Sequence, residues 1–199
     1  MNVFQNKKNA ALAFKYRGGL WGLFAVAALL FPNEYSPVRL LLALPLLFAG
    51  QALRFWAAGV IPKYRTLELD APILVTWGPY RWMRNPLYAG NALLGAGWSV
   101  MLGWHWVPIF LILFALLYGM TIIPYEESFL LKRFGAVYEE YRWRTPALIP
   151  RFPLPPIPAN AAPYDSAQSW LMERHSLRMN LLVTFVLLCT FALKSVLHL

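Results

Sequence analysis

Residues 107–123 read VPIFLILFALLYGMTII, seventeen positions without a charge. A helix needs about 20 apolar residues, with roughly 17 sufficient, to cross the ~30 Å hydrocarbon core of a bilayer. Just upstream, the turn Trp104-His105-Trp106 separates this run from a second uncharged one, Pro86 to Gly103. Two such runs joined by a tight turn predict an antiparallel helical hairpin in a membrane. Working outward, a third apolar run covers Pro37 to Pro62, with Arg39 near its start and Gln51 and Arg54 as its interior interruptions. A fourth covers Gly18 to Pro32, and the last Met179 to Leu197. The expected fold is all-α and integral to the membrane, one domain over residues 1–199, with about five transmembrane helices at 18–32, 37–62, 86–103, 107–123 and 179–197.

Composition agrees. Hydrophobic residues make up 59% of the 199, and charged residues only 14%, against roughly 25% charged in a soluble domain. The net charge of +9 does not point to nucleic acid, because the basic residues alternate with apolar runs instead of forming one patch. That distribution suits a protein meeting anionic lipid. Cys189 stands alone in an apolar run and reads as a buried small hydrophobe. His105, His175 and His198 are far apart, so neither a disulfide framework nor a metal cluster is indicated. The first run resembles a signal peptide, but Phe31-Pro32-Asn33-Glu34 is a poor cleavage site and more spans follow. It is read as a mature helix.

Charge asymmetry orients the chain. With the N-terminus in the cytoplasm, fifteen of the eighteen Lys and Arg fall inside. They are Lys7, Lys8, Lys15 and Arg17, then Lys63, Arg65, Arg81 and Arg84, then Lys132, Arg133, Arg142, Arg144, Arg151, Arg174 and Arg178. Only Arg39 and Lys194 fall outside, and Arg54 lies within a span. Chemistry is then expected in the polar cytoplasmic segments, about 63–85 and 124–178. The second of these predicts an amphipathic helix over about 126–143, with Phe129, Leu130, Phe134, Val137, Tyr138 and Tyr141 at helical spacing. A Pro-rich strap follows over 146–163.

Three groups of residues are candidates for chemistry. The stretch from Gly78 to Gly90 leads into the span at Pro86, which suits a first helical turn. Asn85 is the expected N-cap, and the open N–H groups after it are able to receive an anion. The small residues Ala89, Gly90, Ala92, Gly95, Ala96, Gly97 and Ser99 permit close approach, whether by a ligand or by a neighbouring helix. On an unbroken helix from Glu126-Glu127, Glu126, Arg133, Glu140 and Arg144 fall within about 40° of one direction. Glu140 and Arg144 alternatively form a simple i,i+4 pair. Arg54 is an intramembrane charge, hence a functional candidate, or an arginine that snorkels to headgroups. Gly95-Ala96-Gly97 has no strand before it and is not a nucleotide fingerprint.

Together the motifs Gly78-Pro79-Tyr80-Arg81, Arg84-Asn85-Pro86-Leu87-Tyr88-Ala89-Gly90, Glu126-Glu127 and Phe134-Gly135, with Tyr138, Tyr141, Pro146 and Pro150, resemble the membrane methyltransferases. That family includes isoprenylcysteine carboxyl methyltransferases and phospholipid N-methyltransferases. The resemblance implies S-adenosylmethionine as cofactor, in a pocket closed by the cytoplasmic helix and the hairpin. It implies cofactor contacts from Gly78, Tyr80, Asn85, Leu87, Tyr88, Gly90, Glu126 and Glu127. It puts Glu140 and Arg144 near the acceptor as catalytic residues, and Arg54 is a weaker echo, assigned to substrate binding. The partners implied are the bilayer and a membrane lipid or lipidated small molecule, with no nucleic acid and no metal. Asn85 stands where the prenylcysteine branch has His, and Gly78 stands alone where the phospholipid branch has Gly-x-Gly, so the acceptor is left open between carboxylate and amine. The same residues also suit an NADPH-dependent membrane sterol or enone reductase, or a non-catalytic transporter or assembly protein.

Overall fold

The computed structural model describes residues 3–31, 33, 36–62, 71–150, 152–159 and 161–197. Lys63, Arg65 and Arg151, which entered the charge asymmetry, lie outside the described residues, as does Pro32 at the expected end of the first span. All described regular structure is helical: α1 (Val3–Leu30), α2 (Pro37–Ala58), a single 3-10 turn (Gly78–Arg81), α3 (Pro86–Leu102), α4 (Trp106–Phe114), a π-helical stretch (Ala115–Ile122), α5 (Ile123–Phe134), α6 (Ala136–Arg144) and α7 (Ser166–Leu197). From Trp106 to Phe134 the helix is continuous. By length and composition three helices can cross a membrane, Pro37–Ala58, Trp106–Phe134 and Ser166–Lys194. The fold is that of an all-α integral membrane protein. α3 is shorter at 17 residues, and in α1 the basic tail and the first apolar run share one helix of 28 residues.

Small residues set the packing of α2 on α3. A Cβ on Gly50 would lie 2.8 Å from the Gly90 carbonyl oxygen, and one on Gly97 would lie 2.8 Å from Leu47. On another face of α3, Gly95 receives the ring of Phe110, which a Cβ would meet at 2.1 Å. The close approach that these residues permit is therefore taken up by helices α2 and α4, since without side chains backbones pack closely.

Several boundaries differ from expectation. The helix expected over 126–143 is two helices, because Gly135 adopts φ +54°, a conformation that side chains disfavour. Glu126 and Arg133 lie on α5, while Glu140 and Arg144 lie on α6, so the common face of an unbroken helix does not exist. α2 ends at Ala58 instead of Pro62. Arg54 is therefore four residues from the helix end, about 6 Å at 1.5 Å rise. α7 begins well before Met179, where Asp165 Oδ1 accepts from the Gln168 N–H at 3.0 Å, the capping arrangement that starts helices. Cys189 is exposed on the outer side of α7 and not buried among protein side chains.

The proline strap runs irregularly across one end of the bundle. Arg84 N–H donates to Pro146 O at 2.8 Å and Asn85 N–H to Ala147 O at 3.1 Å. Farther along, Asp165 N–H donates to Gly59 O at 2.9 Å, and Tyr164 packs on Gly59 where a Cβ would stand 2.1 Å from its ring. The strap thus ties the start of α3 and the end of α2 to the start of α7.

Candidate active site

Two cavities lie along α3, one just ahead of its first residue and the other from its second turn onward. The smaller, about 140 Å³, is lined by Tyr80, Arg84, Asn85, Leu130, Tyr138 and Tyr141, among others. The larger, about 650 Å³, lies between α1, α3, α4 and α7, with Arg54 of α2 in its wall. Asn85 borders the first and Asn91 the second. Six residues separate them, about 9 Å along a helix.

Arg84 is the hub of the smaller site. Its Nε and Nη2 donate to Glu127 Oε1 at 2.9 and 2.7 Å, Nη1 donates to Arg142 O at 3.0 Å, and Nη1 also donates to Thr145 O. The pair is 11% and 12% exposed, dry enough for charge-assisted bonds to be strong. Tyr141 Oη donates to Tyr80 O at 2.7 Å. Burial holds the Tyr141 phenol well above its ordinary pKa, with Tyr80 and Tyr138 adding to the effect. Burial likewise raises Tyr138, and the Glu127 carboxylate adds to the rise. The Tyr138 hydroxyl is buried beside the Arg84 guanidinium, which offsets part of that rise, and among the described residues neither it nor the Thr145 hydroxyl makes a hydrogen bond of ordinary geometry. A buried hydroxyl left without one costs about 1–3 kcal/mol, and a polar ligand in the cavity would relieve it.

In the first turn of α3, between Asn85 and Asn91, Tyr88 Oη donates to Glu126 Oε1 at 2.7 Å, and its ring lies 4.6 Å from that of Tyr118. Tyr118 sits in the π-helical stretch, an irregularity that recurs at functional sites. Its hydroxyl accepts from Trp21 Nε1 at 3.3 Å and from Asn91 Nδ2 at 3.4 Å. Asn91 Oδ1 in turn accepts from Arg54 Nη1. Arg54 then donates to Glu173 through Nε at 2.8 Å and Nη2 at 3.0 Å, and to Ser176 Oγ at 2.8 Å. A polar belt therefore runs α1–π stretch–α3–α2–α7 through an otherwise apolar bundle. Arg54 does not snorkel. It is 5% exposed, Glu173 is 0% exposed, and Gly90 seats its side chain, since a Cβ there would come 2.5 Å from Arg54 Cγ.

The residues expected from sequence fall into separate places. Tyr80 and Asn85 line the small cavity and Arg54 the large one. Asn85 is at the N-cap position, yet its side chain makes no cap bond and donates to Ala147 O at 3.2 Å instead. The first-turn N–H of Leu87 is thereby left clear of it. Gly78 has φ +58°, which lets the chain turn ahead of Tyr80. Tyr88, Glu126 and Glu127 stand between and beside the cavities in the pairs described above. Glu140 and Arg144 are not drawn in: Arg144 Nη2 meets Glu140 Oε1 at 2.6 Å with both side chains about 60% exposed (59% and 63%), and neither lines either cavity. Missed by sequence reading were Arg84 as hub, Asn91, Tyr118 and Glu173, while Tyr138 was read as part of an apolar stripe and of the family motif but not as a cavity residue. The acid Glu173, lone in the approach to the last apolar run, was the available signal for the partner of Arg54.

The phospholipid methyltransferase family profile matches residues 38–137, from α2 into α6, which takes in α3 and the paired glutamates. Among similar proteins, protein-S-isoprenylcysteine O-methyltransferase B of Arabidopsis thaliana is 41% identical over 80 residues, 39% of this chain and 39% of that protein. The chain thus spans well under half of that relative's length. Cobalt-zinc-cadmium resistance protein CzcN of Cupriavidus metallidurans is 31% identical over 177 residues, 84% of this chain and 74% of that protein. A probable protein-S-isoprenylcysteine O-methyltransferase of Oryza sativa subsp. indica is 34% identical over 133 residues, 62% of this chain and 68% of that protein.

Proposed function

Because the chain belongs to the phospholipid methyltransferase family, we propose that it transfers a methyl group from S-adenosylmethionine to a lipid-like or prenylated acceptor at the cytoplasmic face of its membrane. One observation carries the reading: the Tyr88–Glu126 hydrogen bond and the Arg84–Glu127 ion pair bring the paired glutamates of α5 to the start of α3, between a small cavity at Asn85 and a large one that begins at Asn91. A water-soluble donor and a lipid acceptor must meet, and the start of α3 offers a place for each.

The residues in the small cavity (Tyr80, Asn85, Tyr138) and those around the start of α3 beside it fit the donor in kind. Carboxylates (Glu126, Glu127) suit an ammonium, the first-turn N–H groups after Asn85 suit a carboxylate, and Tyr80 offers an aromatic face. The Tyr138 hydroxyl has a hydrogen bond to give or receive. Gly78, Leu87, Tyr88 and Gly90 complete the set, with Gly90 acting through the arginine that it seats. When bound, S-adenosylmethionine supplies an electrophilic methyl carbon on a sulfonium whose departure as a neutral thioether needs little acid help. What is left to the chain is alignment, worth several kcal/mol when reacting groups are held in line. The Tyr88–Glu126 bond and the Tyr88–Tyr118 contact fix the boundary between donor and acceptor, and the aromatic wall of Trp21, Phe110 and Phe114 excludes water from it. A carboxylate oxygen attacks without losing a proton, whereas an amine must shed one first.

Calorimetric titration of the purified protein tests the reading. S-adenosylmethionine is expected to bind and NADPH not to. Binding of NADPH alone turns the assignment to a reductase, and binding of neither to a non-catalytic membrane protein.

A further inference from the structure

The long helix α7 turns one face to the protein. Ser169 Oγ donates to Phe55 O at 2.7 Å, Glu173 accepts from Arg54 Nε at 2.8 Å, and Asn180 Nδ2 donates to Gln51 Oε1 at 2.8 Å. These contacts run α7 antiparallel to the last two turns of α2. At about 100° per residue, Arg178 then lies roughly opposite Asn180, and Arg174 stands about 40° from Arg178. Trp170, Arg174, Arg178, Leu181, Phe185 and Leu188 recur every three or four residues, which is a single helical stripe. All six are exposed among the described residues, and none lines either cavity.

The stripe changes chemistry at Arg178. Before it come a tryptophan and an arginine; after it no charge occurs until Lys194. Arg178 thus marks the level at which α7 enters hydrocarbon, and the charge asymmetry favours the cytoplasmic leaflet. Trp170 stacks on Phe55 with ring centres 6.4 Å apart, which holds its half-exposed ring at the depth where tryptophans are enriched. Glu173, the only acid in α7, is turned inward onto Arg54, so the outer stripe carries cations alone. Its two arginines are one turn apart, about 6 Å along the axis, close enough to converge on one phosphate. Guanidinium and phosphate pair through parallel hydrogen bonds. Beneath them Leu181, Phe185 and Leu188 offer an acyl chain an apolar track. A choline headgroup would bring its own cation to the same place and cancel much of the attraction.

We propose that this outer stripe of α7 binds an anionic phospholipid of the surrounding bilayer, its phosphate held by Arg174 and Arg178 and one acyl chain lying along Leu181, Phe185 and Leu188. The lipid is a structural ligand and not a methyl acceptor. The site is independent of whatever reaction the two cavities serve.

Cys189, the single cysteine of the chain, is exposed one turn beyond Phe185 and places a reporter on the stripe. The full chain is labelled there with bimane in phosphatidylcholine nanodiscs. These contain a small fraction of either phosphatidylglycerol or phosphatidylcholine carrying a nitroxide on its acyl chain. A nitroxide quenches only at close range, so the ratio of the two quenching strengths reads local enrichment. With two basic residues at the headgroup level, a ratio of about threefold or more in favour of phosphatidylglycerol is expected. Arg174→Gln with Arg178→Gln is expected to bring it to about one. Lys15→Gln with Lys132→Gln removes the same charge from exposed positions elsewhere and is expected to leave the ratio unchanged. Arg178→Gln alone, expected to lose about half of the enrichment, serves if the double variant does not fold. A wild-type ratio near one, or a ratio that survives loss of the arginines, overturns the proposal. Equal loss in the lysine variant also overturns it, by assigning the enrichment to the net charge of the chain.

Discussion

Tyr88 faces two partners at once: its hydroxyl donates to Glu126 Oε1 at 2.7 Å, and its ring lies 4.6 Å from the ring of Tyr118. The first contact ties α3 to α5, the second ties it to the π-helical stretch just before. A single side chain thereby holds the hairpin at a level between Asn85 of the small cavity and Asn91 of the large one. The Glu126 carboxylate thereby stands at the start of α3 as a hydrogen-bond acceptor.

Glu126→Gln is accordingly expected to weaken S-adenosylmethionine more than Tyr88→Phe does. Losing a charge-assisted contact costs about 1.5–3 kcal/mol, roughly tenfold or more in the dissociation constant. Tyr88→Phe keeps the ring contact and the carboxylate, and should cost only a few-fold. Calorimetry on both variants checks the order, and equal losses would assign the effect to hairpin geometry instead.

Arg54 and Glu173 are expected to behave as a buried pair. Removing one partner leaves an uncompensated charge and destabilises by about 3–5 kcal/mol, while replacing both by apolar residues is often near neutral. Thermal unfolding should therefore fall sharply for Glu173→Gln and recover in Arg54→Met with Glu173→Leu. Additive losses in the double variant would mean that the pair is not coupled.

Much of this architecture was legible in the sequence. The hairpin of α3 and α4 was readable because uncharged runs and a Trp-His-Trp turn leave few alternatives. The start of α3 was readable because proline suits a first turn. The break at Gly135 was not, since apolar spacing continues across it and a single glycine in a helical pattern carries no sign of its φ. The role of Gly90 was only half visible. Smallness announces a close approach, but not that Arg54 makes it. Pairings between distant segments, Arg84 with Glu127 and Arg54 with Glu173, depend on tertiary geometry that periodicity does not encode.

The two raised phenols give a pH dependence. Tyr138 and Tyr141 are held protonated above their ordinary value of 10.0, so the folded chain keeps protons that the unfolded chain releases. Their contribution to stability is complete below about pH 10 and is lost as pH rises toward the higher folded values. Tyrosinate absorbance should accordingly show these phenols ionising late, together with alkaline unfolding. Tyr138→Phe separates stability from ligand binding: removing a buried hydroxyl that makes no hydrogen bond of ordinary geometry should leave thermal stability close to wild type, while S-adenosylmethionine affinity falls. A variant with unchanged affinity would put the hydroxyl outside the donor site.

The charge asymmetry supports a topology with the N-terminus inside and, with five crossings, the C-terminus outside. Reporter fusions at Leu199 should read as external. An internal C-terminus would mean that α1 or α3 does not cross, and α3 is the shorter of the two at 17 residues.

The last expectation concerns Glu140 and Arg144, which family resemblance puts near the acceptor. Their 2.6 Å contact is an i,i+4 pair with side chains 63% and 59% exposed. Exposed pairs of this kind contribute no more than a few tenths of a kcal/mol. Exchanging them (Glu140→Arg with Arg144→Glu) should leave stability, cofactor binding and turnover close to wild type, because the pair survives and neither residue lines a cavity. An acceptor role makes the opposite demand. A base or an anion-binding group displaced by about one helical turn no longer meets its atom, and alignment is the main work left to this enzyme. In that case cofactor affinity persists while methyl transfer is lost, and the single variants divide by chemistry: Glu140→Gln is worse for an amine, with recovery as pH rises and the amine deprotonates in solution, and Arg144→Ala is worse for a carboxylate, through KM. Turnover of the exchanged protein with labelled methyl donor decides it. Full activity is expected; its loss, with calorimetric binding intact, would return α6 to the active site and move the acceptor's reacting end from the cavity mouth toward that helix.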